Sequence, residues 1–298
     1  MTNSLKEQAV EQLKAKHEAE NKAREEKEQA AKETLEKSRE KNKKKDKPKY
    51  EIDKMQLYLG EPYKLNDKIT IYQPTVGDII RIGEQKCYSV IHIFTANTTS
   101  YRMFLWEAGY DWCKMTDFQL FTFLAPTLKQ EDTQFLFGDL DFSKLELYQV
   151  TEPDTEKKYI IMYDPEQDIT IDEATCDKLT WYIRTIFNIF PKEEFGKGKA
   201  TKEALIWEDQ QNYEKHKDDP YESVLFPLIS SCLNHPGFKY TKKELMDVGI
   251  VEFMDSVQRL QIYESSTALL KGAYSGFIDT SGIKPDQMNF MRNLDAEH

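Results

Sequence analysis

Cysteine is scarce and scattered. Cys87, Cys113, Cys176 and Cys232 form no C-x-x-C pair, and each sits among apolar residues. That argues against a disulfide framework or a cysteine-based zinc site and for buried free thiols, the ordinary state in a reducing compartment. Histidine adds no ligand pattern. His17, His92, His216, His235 and His298 include no pair at i+3 or i+4 and no H-E-x-x-H, so zinc-protease chemistry has no local signature. No apolar run approaches the length of a membrane span. The opening MTNSLKEQAVEQLKAKHEAE lacks the apolar heart of a signal peptide. A cytosolic protein, or one cytosolic until it joins an assembly, is expected. Glycine and proline are missing before Pro48, so nothing there interrupts a helix.

What fills that first segment is charge. Residues 1–50 hold 15 Lys or Arg against 11 Asp or Glu, and the remainder holds 26 against 41. Opposite charges recur at i,i+4, as in Glu18/Lys22 and Lys32/Glu36, which supports a solvated helix. Leu5, Val10 and Leu13 begin a stripe that does not continue as heptads. Residues 1–49 therefore read as a charged arm. The run KNKKKDKPK (41–49) is its one weak nucleic-acid signal. A basic arm on an acidic body does not suit wrapping nucleic acid over a whole surface, and binding through the arm alone is kept as a lesser reading.

The folded body begins near Tyr50. QLYL and KITIY flank the turn-prone GEP and LND and predict a small hairpin. In TVGDIIRIGEQKCYSVIHIFTA the apolar residues recur at helical spacing behind Thr75 and Asp78, a capping box with Asp in the third position. Asp78 in this glycine-containing turn could be a catalytic carboxylate, and capping is the better reading. Gly83 weakens the continuity of that helix. Further helices are predicted over 101–112, 116–126 and 173–190, the last capped by Asp172, with a short one before Gly138. The stretch 157–172 predicts a hairpin around Asp164-Pro165-Glu166-Gln167. KEEFGKGKA (192–200) reads as a linker. Beyond it the chain is expected to be all-helical. Pro227 marks a kink or late start, Thr241/Glu244 form a second capping box, and Gly272 stops a long helix. The expected fold is α+β and predominantly helical, with small β-hairpins in the N-terminal half. Its divisions are the arm 1–49, an α+β domain 50–190 and a helical domain 191–298.

Catalytic signatures fail on spacing. Gly196-Lys197-Gly198-Lys199 is not a P-loop, and Ser275 is one place out for a nucleophile elbow. Asp139 and Asp141 open like a calcium loop, but Lys144 and Val150 stand where glycine and glutamate are required. Asp164, Asp168 and Asp172 read as turn and cap residues. His92, in an apolar helix, reads as a core side chain. No catalytic, cofactor or metal residue is assigned. The aromatic run Phe104, Trp106, Tyr110, Trp112, Phe118, Phe121, Phe123 and the stripe Ile250, Phe253, Met254, Val257, Leu260 have core spacing first. As a partner surface, the candidates are Trp106, Trp112, Phe118, Phe253, Met254 and Val257. KKELMDVG–IVEFMDSVQRL outlines a helix-turn-helix, but Glu252 and Asp255 at the second helix would repel phosphates.

LGEPYKLNDKITIYQPTVGDIIRIGEQKCYSV, LFGDLDFSK and FKYTKKELMDVGIVEFMDSVQRLQIYESSTALLKGAYSGFIDTSGI, taken in that order, resemble tail-morphogenesis proteins of tailed phages and prophages of Gram-positive hosts, of the tail assembly chaperone type. The resemblance spans the chain from about residue 56 onward. It implies a non-enzymatic protein without cofactor or membrane contact, active in the host cytoplasm during assembly. Its partners would be other tail or virion proteins, and a homo-oligomer is compatible with it. A permanent virion subunit, at the baseplate or the head–tail joint, is the alternative in the same context.

Overall fold

Local oxygen-bearing side chains set several of the helix starts. The Thr75 hydroxyl accepts from Asp78 N at 3.0 Å, and Asp78 Oδ2 accepts from Thr75 N at 2.9 Å. This closes the expected capping box on α2 (Val76–Ile82). Asp172 caps α7 (Glu173–Phe187), and Thr241 with Glu244 boxes α10 (Lys242–Leu245). The computed structural model describes residues 50–151, 158–276, 279 and 281–294, and the arm 1–49 lies outside them.

The other elements, in chain order, are α1 (Lys54–Tyr58), β1 (Tyr63–Lys64), β2 (Thr70–Ile71), α3 (Glu84–Thr95), α4 (Arg102–Glu107), α5 (Asp117–Leu124), α6 (Gln130–Phe137), β3 (Glu146–Thr151), β4 (Lys158–Asp164), β5 (Ile169–Ile171), α8 (Lys199–His216), α9 (Leu225–Asn234) and α11 (Ile250–Tyr274). Eleven α-helices and two small antiparallel sheets, of two and three strands, among the described residues make a predominantly helical α+β fold. The described residues belong to two compact units. One holds Ala96–Leu120 and Pro191–Asp219, the other Tyr50–Thr95, Phe121–Phe190 and the chain from Pro220 onward.

Four local expectations are corrected. QLYL is helical, because Asp53 accepts from Met55 N and Gln56 N and so starts α1. The small hairpin pairs Tyr63 with Ile71 and Lys64 with Thr70 instead. The helix expected over 101–112 is shorter, giving way to a turn at Gly109 (φ 85°). Gly272 lies inside α11, which runs on to Tyr274 and is followed by Gly276 at φ 72°. His92 is exposed rather than in the core, since α3 turns Cys87, Val90, Ile91 and Phe94 inward. Gly83 does divide α2 from α3, and Pro227 falls in the first turn of α9, where its missing N–H needs no helical acceptor.

In the larger unit, α3 packs on α7, and Arg184 Nε donates to the Thr95 carbonyl at the end of α3 at 2.8 Å. The buried Phe94 ring lies 4.9 Å from Phe137, 5.1 Å from Phe142 and 6.0 Å from Phe121. Each such ring contributes about 2–3 kcal/mol through area removed from water. The three-stranded sheet runs β3-β4-β5, with Met162, Ile169 and Ile171 buried. The β4–β5 turn is the expected one, where Asp164 Oδ1 accepts from Glu166 N and Gln167 N.

QPTVGD proves to be a clasp as well as a helix start. Thr75 bridges Gly249 antiparallel, Ile250 N donates to Pro74 O, Val76 N to Val248 O and Gly77 N to Met246 O. Gln73 extends the clasp: its Nε2 donates to Leu57 O, and its Oε1 accepts from Val251 N.

A second long-range tie starts α9. Its N-cap residue, Val224, has no capping side chain. Glu84 Oε1 accepts from Val224 N and Leu225 N, each at 2.8 Å, and the Ser223 hydroxyl donates to the other oxygen. A carboxylate at a helix N-terminus is also favoured by the helix dipole. Glu84→Ala is expected to cost about 2 kcal/mol in urea denaturation followed by circular dichroism. A loss below about 0.5 kcal/mol would show that the cap contributes little.

Candidate functional site

In the smaller unit a buried cation organises the structure. Arg102, at the start of α4, donates Nη1 to Glu194 Oε2 at 2.6 Å. Its Nε and Nη2 donate to the two oxygens of Asp209 on α8, at 2.6 and 2.7 Å. Burial pulls the guanidinium down, but the hydrogen bonds it donates to Asp209 and Glu194 outweigh that and hold its pKa above the usual value. Alongside, Lys202 Nζ lies 2.6 and 2.8 Å from the Asp111 oxygens. That hydrogen bond holds the Asp111 carboxyl below its usual value and raises the Lys202 ammonium.

This network corrects the linker reading of 192–200. The Glu194 carbonyl accepts from Trp112 Nε1 at 3.0 Å, Glu194 N donates to Thr99 Oγ1 at 3.0 Å, and Asn97 Nδ2 donates to Lys192 O. Gly196 is buried, and a Cβ there would lie 2.7 Å from Lys202 Cγ. Its polar, glycine-containing sequence looks like a spacer. The groups that fix it lie 82 to 95 residues earlier, beyond any local pattern.

The six proposed partner residues are placed as follows. Trp112 and Phe118 are buried in the smaller unit. Trp106 is half-buried, its ring edge-on to Trp112 at 5.9 Å. In the larger unit Phe253 and Val257 are buried on α11, and Met254 is half-buried. Other side chains on these units carry the exposed aromatic surface. On the smaller unit Phe104 of α4 meets Tyr213 of α8 edge-on at 5.9 Å, both half exposed, and Trp207 and Tyr110 also reach solvent. On the larger unit the outlier is α9, LFPLISSCLN. Of its ten residues only Leu225 and Cys232 are buried, while Phe226 is 71% exposed and the adjoining Val224 56%. The apolar run in α9 was visible in the sequence. Its exposure was not, because an apolar helix ordinarily reads as core.

The acidic candidates have structural duties. Asp141 accepts from Ser143 N at the head of a 3-10 turn, Asp164 makes the hairpin turn and Asp172 caps α7. Ser275 donates its hydroxyl to the Lys271 carbonyl at the end of α11. Glu252, at the head of α11, accepts from Lys239 and from the Tyr240 hydroxyl. Among the described residues no group of three or more His, Cys, Asp or Glu is placed to hold a metal ion, and no helix is long and apolar enough to cross a membrane. Comparison with protein-family models, curated proteins and solved structures returns no match.

Proposed function

We propose that this chain is a non-catalytic protein-binding protein, acting as an assembly chaperone for tail components of a tailed phage or prophage of a Gram-positive host. The observation that carries the reading is the first turn of the apolar helix α9, where Phe226 and the adjoining Val224 stand in solvent, as does Tyr221 just before them. Such a face is costly in water and is favoured when a partner covers it. Covering Phe226 alone would contribute about 2–3 kcal/mol. The formal charge of −11 supports the same role, since it keeps the uncovered protein dispersed while the apolar face waits for its client. The aromatic pair Phe104 and Tyr213 offers a second, smaller contact of the same kind.

The test is co-expression with the tail-tube, tape-measure and baseplate proteins of one phage, followed by measurement of the affinity of whichever is retained. Phe226→Asp is expected to weaken that complex at least about 30-fold while leaving the far-ultraviolet circular dichroism spectrum unchanged. Failure to retain any tail protein, or full retention by the Asp variant, would overturn the reading. Recovery of the chain in stoichiometric amount from purified mature particles would assign it to the virion instead.

A further inference from the structure

Three side chains on one face of α11 hold the C-terminal stretch 281–294. Arg259, Tyr263 and Ser266 stand at i, i+4 and i+7, so they line up along the helix. Arg259 Nη1 donates to the main-chain carbonyls of Phe290 and Arg292, at 3.3 and 2.8 Å. Asp255, one turn earlier, lies 3.7 Å from Arg259 Nε and leaves Nη1 to the stretch. The Tyr263 ring meets Phe290 edge-on at 5.7 Å. The Ser266 hydroxyl donates to the Gln287 carbonyl at 3.0 Å. Its neighbour Ser265 shows the ordinary alternative, a bond back to Gln261 O within the helix. Ser266 is 1% exposed, and a hydroxyl buried that far needs a partner. The ties from Arg259 and Ser266 to the stretch all end on main-chain oxygens. They therefore select a backbone shape, not the side chains that it carries.

This C-terminal strap gives little to the core. None of residues 281–294 is buried, Phe290 is half exposed and Met291 lies mostly in solvent. A segment with few covered apolar contacts opens locally at less cost than unfolding the whole protein. It also braces itself. Pro285–Met288 form a 3-10 turn, Lys284 N donates to Gln287 Oε1 at 3.1 Å, and Arg292 Nη1 donates to the Asp286 and Gln287 carbonyls, both at 3.4 Å. These bonds lie within the strap. A lifted strap, or a like segment from another protein, meets α11 already shaped and at a small ordering cost.

We propose that this face of α11 is a peptide-binding site, with 281–294 as its built-in occupant, displaced by a segment of a partner protein with the same chemistry. That chemistry is read from the occupant itself: a short turn begun by a proline, three outward carbonyls and one aromatic ring. Arg259 and Ser266 take the carbonyls, and Tyr263 takes the ring. The seated strap competes with any other segment, so the apparent affinity falls with the fraction of sites left open. The site shares no residue with α9, and its test uses no tail protein.

The probe is a fluorescein-labelled synthetic peptide of residues 281–294, and its fluorescence anisotropy is followed as the full chain is added. Wild type is expected to bind weakly, because its own strap occupies the site. Phe290→Ala and Arg292→Ala loosen the strap and leave α11 untouched, so each should bind the peptide at least about 10-fold more tightly. Adding Arg259→Ala or Ser266→Ala to either should remove that gain, although the strap is then looser still, with circular dichroism unchanged. The opposite signs separate a receptor face from general loosening. No gain in the strap variants, a gain that survives both α11 substitutions, or equal binding of a scrambled peptide would overturn the proposal. So would a wild-type chain that dimerises in sedimentation velocity and loses the dimer with Arg259→Ala, which would assign the face to straps exchanged between copies.

Discussion

Arg102→Ala is expected to destabilise the protein by about 3–5 kcal/mol, the largest loss anticipated from any single side chain. The reason is what remains behind. Arg102 is 7% exposed and faces Glu194, 12% exposed, and Asp209, 28% exposed. Without the guanidinium two carboxylates confront each other with little water to screen them. Glu194 also carries the carbonyl that accepts from Trp112 Nε1, so its displacement would loosen the segment around Pro191–Gly198 and open the tryptophan's surroundings. Denaturation in urea, with near-ultraviolet circular dichroism as a second probe, measures both effects. Removing all the charge should be far milder than removing one. Arg102→Met combined with Glu194→Gln and Asp209→Asn is expected to recover more than half of the loss. A loss below about 1 kcal/mol for Arg102→Ala would mean that the cluster behaves as an ordinary surface ion pair.

Gly77→Ala is expected to cost about 3 kcal/mol. A Cβ at this position would stand 2.5 Å from the Met246 carbonyl oxygen and 3.2 Å from its carbonyl carbon. Main chain cannot swing aside as a side chain can, so the added methyl must part the clasp. The bond from Gly77 N to Met246 O, 3.0 Å long, would be strained with it. Gly249→Ala makes the informative comparison. Its Cβ would meet Gln73 Oε1 at 2.4 Å, a flexible tip that can move. Moving it loosens the bonds to Leu57 O and Val251 N, at about 1–2 kcal/mol. The order of the two losses, read from urea midpoints, is the test. Gly249→Ala proving the costlier of the two would show that the main-chain contact does not govern the clasp.

These two predictions depend on contacts that no window of sequence displays. Arg102 meets Asp209 across 107 residues, and Gln73 meets Val251 across 178. Nothing near Gly77 says that another backbone passes beside it. The same limit governed the aromatics. Helical spacing locates Phe104, Trp106 and Trp112 on adjoining turns, but which of them is covered depends on where Glu194 and α8 lie. It also governed α9, whose apolar composition is plain in the sequence while its exposure is a property of the packed chain.

The sequence by itself determined what closes within about four residues. Thr75 with Asp78, Asp172 with Thr175 and Thr241 with Glu244 each make their hydrogen bonds three residues apart. Their helix starts were therefore legible, as were the 158–171 hairpin and the helical majority of the fold. Capping outweighed the strand preference of QLYL because Asp53 satisfies two otherwise unpaired amides at once. Tertiary structure alone decided that 191–198 is tied down, that Phe226 of α9 stands in solvent and that QPTVGD grips 246–251. Those outcomes rest on hydrogen bonds and covered area between segments distant in the chain, and such terms leave no periodicity to read.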